Sequence, residues 1–143
     1  MSDEGDFTPK SSDPHPWFSG QHDAGFHPGD PSVLSLFDNG PARFAKDAKS
    51  HSRGQVWKLD ENNHSAELLY NADLGEFSFA VGAAQPLKGG GYSFQLGFLN
   101  PASIYTRAVE TSADGKVVYS QSLDGLVEYR SFRVADLYTA PGK

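Results

Sequence analysis

Short apolar runs with an every-second-residue rhythm recur along this sequence. Each is cut off by a cluster of turn-forming residues, which is the pattern of half-buried strands. Residues 21–26 form the first, a largely polar run around His22 that stops at His27-Pro28-Gly29-Asp30-Pro31. Such a density of proline, glycine and aspartate predicts a turn. The next run, residues 33–37, leads into Asp38-Asn39-Gly40, and Asn-Gly is among the strongest short turn signals. Residues 55–59 and 66–70 follow, linked by a polar turn at 60–65. Residues 80–87 lead through Lys88-Gly89-Gly90-Gly91 into 92–96, and residues 104–110 lead through Asp114-Gly115 into 116–120. A last run, at 127–134, alternates cleanly. Between the second and third strands, residues 40–52 break the rhythm. They carry Arg43, Lys46, Lys49 and His51, with Arg53 just beyond, and read as a long basic loop.

Eight of these strands fall into two sets of four. The last strands of the sets share a shape, Leu68-Leu69-Tyr70 in one and Val117-Val118-Tyr119 in the other. Four-stranded antiparallel units in series are the pattern of propeller blades, and such a unit stacks on neighbours because it cannot bury both faces alone. The predicted fold class is therefore all-β: antiparallel four-stranded blades of a partial β-propeller, about two blades plus one extra strand. The expected layout is a disordered or extended arm over 1–16, then a partial propeller over 17–138, then a tail at 139–143. Within the propeller, one blade is expected at 19–72, a second at 78–123 and the extra strand at 127–134. The arm is polar, with Pro9, Pro14 and Pro16, and Trp17-Phe18 opens the ordered part. Phe37, Trp57, Phe94 and Tyr119 are expected in the core between blades. Open strand edges in such a set predict self-association.

Composition agrees with this picture. The chain has 143 residues, the length of one domain, with 15 glycines, 9 prolines and 13% aromatic residues, which suits a turn-rich sheet protein. Eighteen acidic residues against twelve basic ones leave a net charge of −6, which argues against a nucleic-acid partner. The lack of cysteine excludes disulfides, thiolate catalysis and thiolate metal sites. No apolar run approaches the roughly 18 residues of a membrane span. The opening Met1-Ser2-Asp3-Glu4-Gly5-Asp6 is the opposite of a basic, apolar signal peptide. No spacing such as His-x-Glu-x-x-His points to a metal site, and Gly89-Gly90-Gly91 reads as a hairpin turn because no helix follows it to cradle phosphate. No cofactor is expected.

Several pieces occur in a telling order. Trp17-Phe18 precedes Gln21-His22-Asp23-Ala24, then come Leu34-Ser35-Leu36-Phe37-Asp38-Asn39-Gly40 and Ser52-Arg53 at the opening of a strand. The hairpin with Gly82 to Gln85 and Gly89-Gly90 follows, and Tyr129-Arg130-Ser131-Phe132-Arg133 closes the series. From residue 17 to about 138 this resembles the C-terminal part of the arylsulfotransferases, which are six-bladed propeller proteins. The resemblance implies transfer of a sulfuryl group from an aryl sulfate to a phenol, without a nucleotide donor, through a sulfated histidine. It implies a periplasmic, secreted or membrane-anchored location. By position, His22 matches the histidine that accepts the sulfuryl group. The family's other active-site histidine, asparagine and arginine lie upstream of the matched segment.

A neutral imidazole nitrogen can attack sulfur, which requires the ring at or above its ordinary pKa of about 6.5. By analogy with phosphoryl transfer, charge then spreads over the three non-bridging oxygens and needs fixed cations or N–H donors. Arg43 and Arg53 flank the basic loop and are candidates to hold sulfate by forked hydrogen bonds, with solvated loop arginines as the plainer reading. Asp23 neighbours His22, but adjacent strand residues face opposite sides, so Asp23 is expected to bond backbone or close a turn. Arg130 and Arg133 are expected on loop carbonyls, and His27, His51 and His64 at the surface. Two functions stay open: sulfuryl transfer through His22, or a non-catalytic propeller segment that serves as a binding or assembly scaffold.

Overall fold

Turn chemistry divides the chain into hairpins, as the sequence pattern requires. The structure, a computed structural model, describes residues 5–134. The strands are β1 (Thr8–Lys10), β2 (His22–His27), β3 (Asp30–Asp38), β4 (Arg53–Asp60), β5 (Ser65–Asp73), β6 (Gly82–Pro86), β7 (Tyr92–Leu99), β8 (Tyr105–Thr111) and β9 (Val117–Asp124). A four-residue helix, α1 (Pro41–Phe44), lies between β3 and β4. Gly29, with φ 85°, turns β2 into β3, and Gly115, with φ 84°, turns β8 into β9; such angles are cheap only without a Cβ. Between β4 and β5 the Asp60 carboxylate closes the turn by accepting from the Asn63 backbone and side chain at 3.1 and 2.6 Å.

Two sheets result, in the orders β1-β5-β4-β3-β2 and β6-β7-β8-β9. All pairs are antiparallel except β1 with β5. This is an all-β fold of two sheets, consistent with the blades of a partial propeller. The sheets pack face to face over Phe37, Ala72 and Leu74 from the first and Ala84, Phe94, Leu96, Leu99 and Val109 from the second. Their contact is reciprocal. A Cβ on Gly54 would lie 2.0 Å from the Phe94 ring, and one on Gly82 would lie 2.4 Å from the Phe37 ring. Each sheet thus opens a glycine gap for the other's phenylalanine.

The N-terminal arm is where the structure departs most from the expectation. Its residues 8–10 form β1, pairing Thr8 with Ser65 and Lys10 with Glu67. Phe7, Trp17 and Phe18 then cover Leu36, Trp57 and Ala66 on the other face of the first sheet. Trp17 stacks on Trp57 at 5.2 Å and 17°. The arm is polar by composition, but a free edge and an apolar sheet face supply partners that composition does not reveal. Trp57 belongs to this second core, not to the one between the sheets. Trp17→Ala should lower stability by about 2 kcal/mol, read as an earlier urea midpoint in the fluorescence of the remaining tryptophan.

Other expectations shift as well. Val127 to Val134 join no ladder and so form no extra strand. The segment crosses the second sheet on side-chain tethers, with the Gln85 amide bonded to the Arg133 backbone in both directions at 2.7 and 3.0 Å and Ser131 bonded to Gln95. Its one backbone bond to the sheet runs from the Glu128 N–H to the Gly97 carbonyl at 3.0 Å. The tail at 139–143 lies outside the described residues. Asn39-Gly40 makes no hairpin turn: Gly40, with φ 78°, is the N-cap of α1. Tyr119 stays exposed instead of entering the core. Among the described residues no helix is long and apolar enough to cross a membrane.

Candidate active site

The end of β3 and the beginning of β2 carry the densest buried polar network of the first sheet. His22 opens β2 opposite Phe37. The register shifts between His22 and Gly25, and Asp23 has φ 51°, so the alternation of an ideal strand is broken here. Half-buried His22 places Nδ1 2.7 Å from Asn39 Oδ1 and 3.2 Å from the Gly20 carbonyl. Asn39, the residue after β3, is buried. Its Nδ2 donates to the carbonyls of Ser78 and Val81 at 2.9 and 3.2 Å. Both amide hydrogens are therefore taken, and the amide oxygen must be the atom facing the ring. Both neighbours of Nδ1 are then acceptors, which makes Nδ1 the protonated nitrogen and leaves the lone pair on Nε2. Ser52 braces the same corner, donating to the Asn39 carbonyl and accepting the Ser78 N–H, each at 2.9 Å.

One residue back, the Asp38 carboxylate is wholly buried. It accepts from the Ser19 N–H at 2.9 Å, from Arg43 at 2.5 Å and from Arg53 Nε at 3.2 Å. The structure thus brings Arg43 and Arg53 together, but onto Asp38. Arg43 also donates to the His51 carbonyl at 3.0 Å. Arg53 donates further to Asp13 at 2.7 Å and to the His15 and Trp17 carbonyls at 3.1 and 3.3 Å. The forks expected to hold sulfate are spent inside the protein, where they fix the end of β3 that carries Asn39. Burial, and then the nearby Arg43 charge, push Arg53 below its usual range, against the pull of Asp38 and Asp13.

Asp13 ties the arm into this cluster. Burial raises its pKa, but the His15 N–H, the Arg53 charge and the Asn71 amide outweigh that and leave it below the ordinary aspartate value. A depressed carboxyl stabilises the fold above its unfolded pKa of about 3.9 and loses that contribution as pH falls through its folded value. The near-UV circular dichroism of the stacked tryptophans should therefore fade below about pH 4, and Asp13→Asn should remove that step.

The remaining candidates are placed as follows. Asp23 accepts the Ala84 N–H at 3.0 Å and pairs with Arg130 at 3.1 Å, so it bonds backbone as expected and does not touch the ring. Arg130 and Arg133 sit on carboxylates, Asp23 and Glu110, instead of loop carbonyls. His51 pairs with Asp73 at 2.8 Å, and His64 is exposed. His27 is half-buried 5.9 Å from the Tyr92 ring, and burial lowers its pKa against the opposing Asp30 charge. Beside α1, Phe44 stacks on Phe77 at 3.9 Å, and with Phe79, Leu99 and Tyr105 they line an open pocket of about 420 Å³. Asp38 and Asn39 are the residues that sequence reasoning missed. They stood in plain view, but as a turn signal.

Two packed sheets, antiparallel but for the pairing of β1 with β5, hold His22 by Nδ1 at a buried corner. The family model described as Arylsulfotransferase (ASST) matches residues 4–129, and the chain belongs to that family. Comparison with curated proteins gave no match.

Proposed function

We propose that this chain takes part in sulfuryl transfer from an aryl sulfate to a phenolic acceptor, with His22 Nε2 as the nucleophile. The observation that carries the reading is the 2.7 Å contact of His22 Nδ1 with an Asn39 amide fixed by two carbonyls. Membership of the arylsulfotransferase family supports the substrate class. The Nε2 lone pair attacks sulfur, the bond from sulfur to the aryl oxygen breaks, and the phenolate leaves with the electron pair. The acceptor oxygen then attacks sulfur, the nitrogen–sulfur bond breaks with its electron pair returning to Nε2, and the acceptor's proton passes to the phenolate released in the first step. Asn39 is a positioning residue: its carbonyl dipole steadies the positive charge that the ring gains when Nε2 bonds sulfur. Asp23, the residue that follows His22, carries the Arg130 guanidinium at 3.1 Å.

The test incubates the full chain with a chromogenic aryl sulfate and a phenol. Turnover is expected from the wild type and none from His22→Ala, with Asn39→Ala about 100-fold slower. Equal turnover by wild type and His22→Ala, or none from either, would sink the proposal. The second reading, a non-catalytic scaffold, draws support from the commitment of Arg43 and Arg53 to Asp38.

A further inference from the structure

The pocket beside α1 joins an aromatic wall to a histidine that is fixed at both ends. Phe44 lies on Phe77 at 3.9 Å, and Phe79 stands edge-on to Phe77 at 4.9 Å while remaining 45% exposed. Aromatic rings gathered at a surface mark a binding site. The volume of about 420 Å³ falls inside the roughly 300–1,000 Å³ of small-molecule sites. His51 lines the same pocket. Its carbonyl accepts from Arg43 at 3.0 Å, and its Nδ1 lies 2.8 Å from Asp73 Oδ1. That oxygen is itself positioned by the Gly75 N–H at 2.7 Å. A carboxylate only accepts, so in the neutral ring Nδ1 carries the proton and Nε2 presents a lone pair. His51 lines the pocket whereas Asp73 does not, which puts Nε2 on the pocket side.

We propose that this pocket binds a small neutral phenol, its ring against Phe79 and its hydroxyl donating to His51 Nε2. The phenylalanines select a planar apolar body, which stacks or packs edge-on against them. The lone pair on Nε2 selects a hydrogen-bond donor, and a phenol donates more strongly than an aliphatic alcohol. An aryl sulfate does not meet these terms. It has no hydrogen for Nε2, and its anionic oxygens would face that lone pair with the Asp73 carboxylate behind it. The nearby Arg107 guanidinium cannot compensate, because Glu76 holds it at 2.5 Å and it also donates to the Leu74 carbonyl. Lys49, the other cation at the pocket, is exposed to water. His22 does not line this pocket, and the inference does not depend on the sulfuryl chemistry.

The test reads binding without turnover, by titration calorimetry of phenol into the full chain. Saturable binding is expected, weakened about tenfold by His51→Ala and about tenfold by Phe79→Ala, the sizes of one hydrogen bond and one aromatic contact. Anisole has the same ring but no donor, so it should bind the wild type about tenfold less tightly than phenol. Phenyl sulfate should not compete with phenol. These two ligand comparisons use the unaltered chain and hold even if a variant fails to fold. His22→Ala should leave the affinity for phenol unchanged, which separates this pocket from any site at His22. The proposal is overturned by the absence of saturable binding, by anisole binding as tightly as phenol, or by effective competition from phenyl sulfate. It is equally overturned if folded His51→Ala or Phe79→Ala binds phenol like the wild type, or if His22→Ala loses the binding.

Discussion

Gly54→Val should cost more than about 3 kcal/mol of stability, because its side chain must occupy space already filled by a buried ring. Gly54, the second residue of β4, lies opposite Phe37 on β3 and Ala72 on β5, and the Phe94 ring covers it at a distance that even a methyl group cannot share. The ring has no easy retreat. It is 1% exposed, with Tyr92 stacked 5.9 Å away and Tyr70 at 6.5 Å. The sheets must therefore separate or the ring must leave its rotamer. Urea unfolding of the variant should show a markedly lower midpoint. Adding Phe94→Leu should recover part of the loss if crowding at this gap is the cause; a double variant less stable than the sum of its parts would reject that cause. Gly82→Val should be at least as damaging, since φ there is +155° and the Phe37 ring lies on it.

Asp38→Ala is expected to be the most damaging change to the polar corner, at about 3–5 kcal/mol, because it leaves Arg43 and Arg53 buried without their shared partner. Breaking a buried ion pair from one side is far worse than never having built it. Asp38→Asn keeps an acceptor for the Ser19 N–H and should fall between the alanine variant and the wild type. The loss should spread outward as well. Arg53 holds Asp13 and the carbonyls of His15 and Trp17, so the arm should become sensitive to protease while the second sheet stays protected. If thermal melts of Asp38→Ala and wild type coincide, the carboxylate is not the keystone of the corner.

The eight meander strands were legible because their signals are local. Every hairpin is bounded by residues that turn the chain for a nearby reason, such as the left-handed Gly115 or the Asp60 carboxylate. His22 was singled out through a resemblance to a family, and the contact of its ring with Asn39 was not part of that reading. Asn39 was not legible. Asn-Gly reads as a turn in any short window, whereas its role here is set by carbonyls 39 and 42 positions away. Arg43 and Arg53 show the same limit from another side, since sequence marks a pair of cations but not the buried carboxylate placed between them. Residues 127–134 alternate as a strand would, yet alternation describes side-chain faces and does not say whether an edge is available.

The pairing of β1 with β5 also fixes an order of events in folding. The paired strands from β2 to β9 are neighbours in sequence, the longest link being residues 39–52 between β3 and β4, whereas the arm must find partners far along the chain, as the contact of Asp13 with Asn71 across 58 positions shows. Closing a longer loop costs more entropy, and long-range contacts form slowly. The arm therefore docks after both sheets have formed, and until then Trp57 is wet and the β5 edge is bare. Burial of Trp57 should trail the formation of the sheets in a stopped-flow refolding trace.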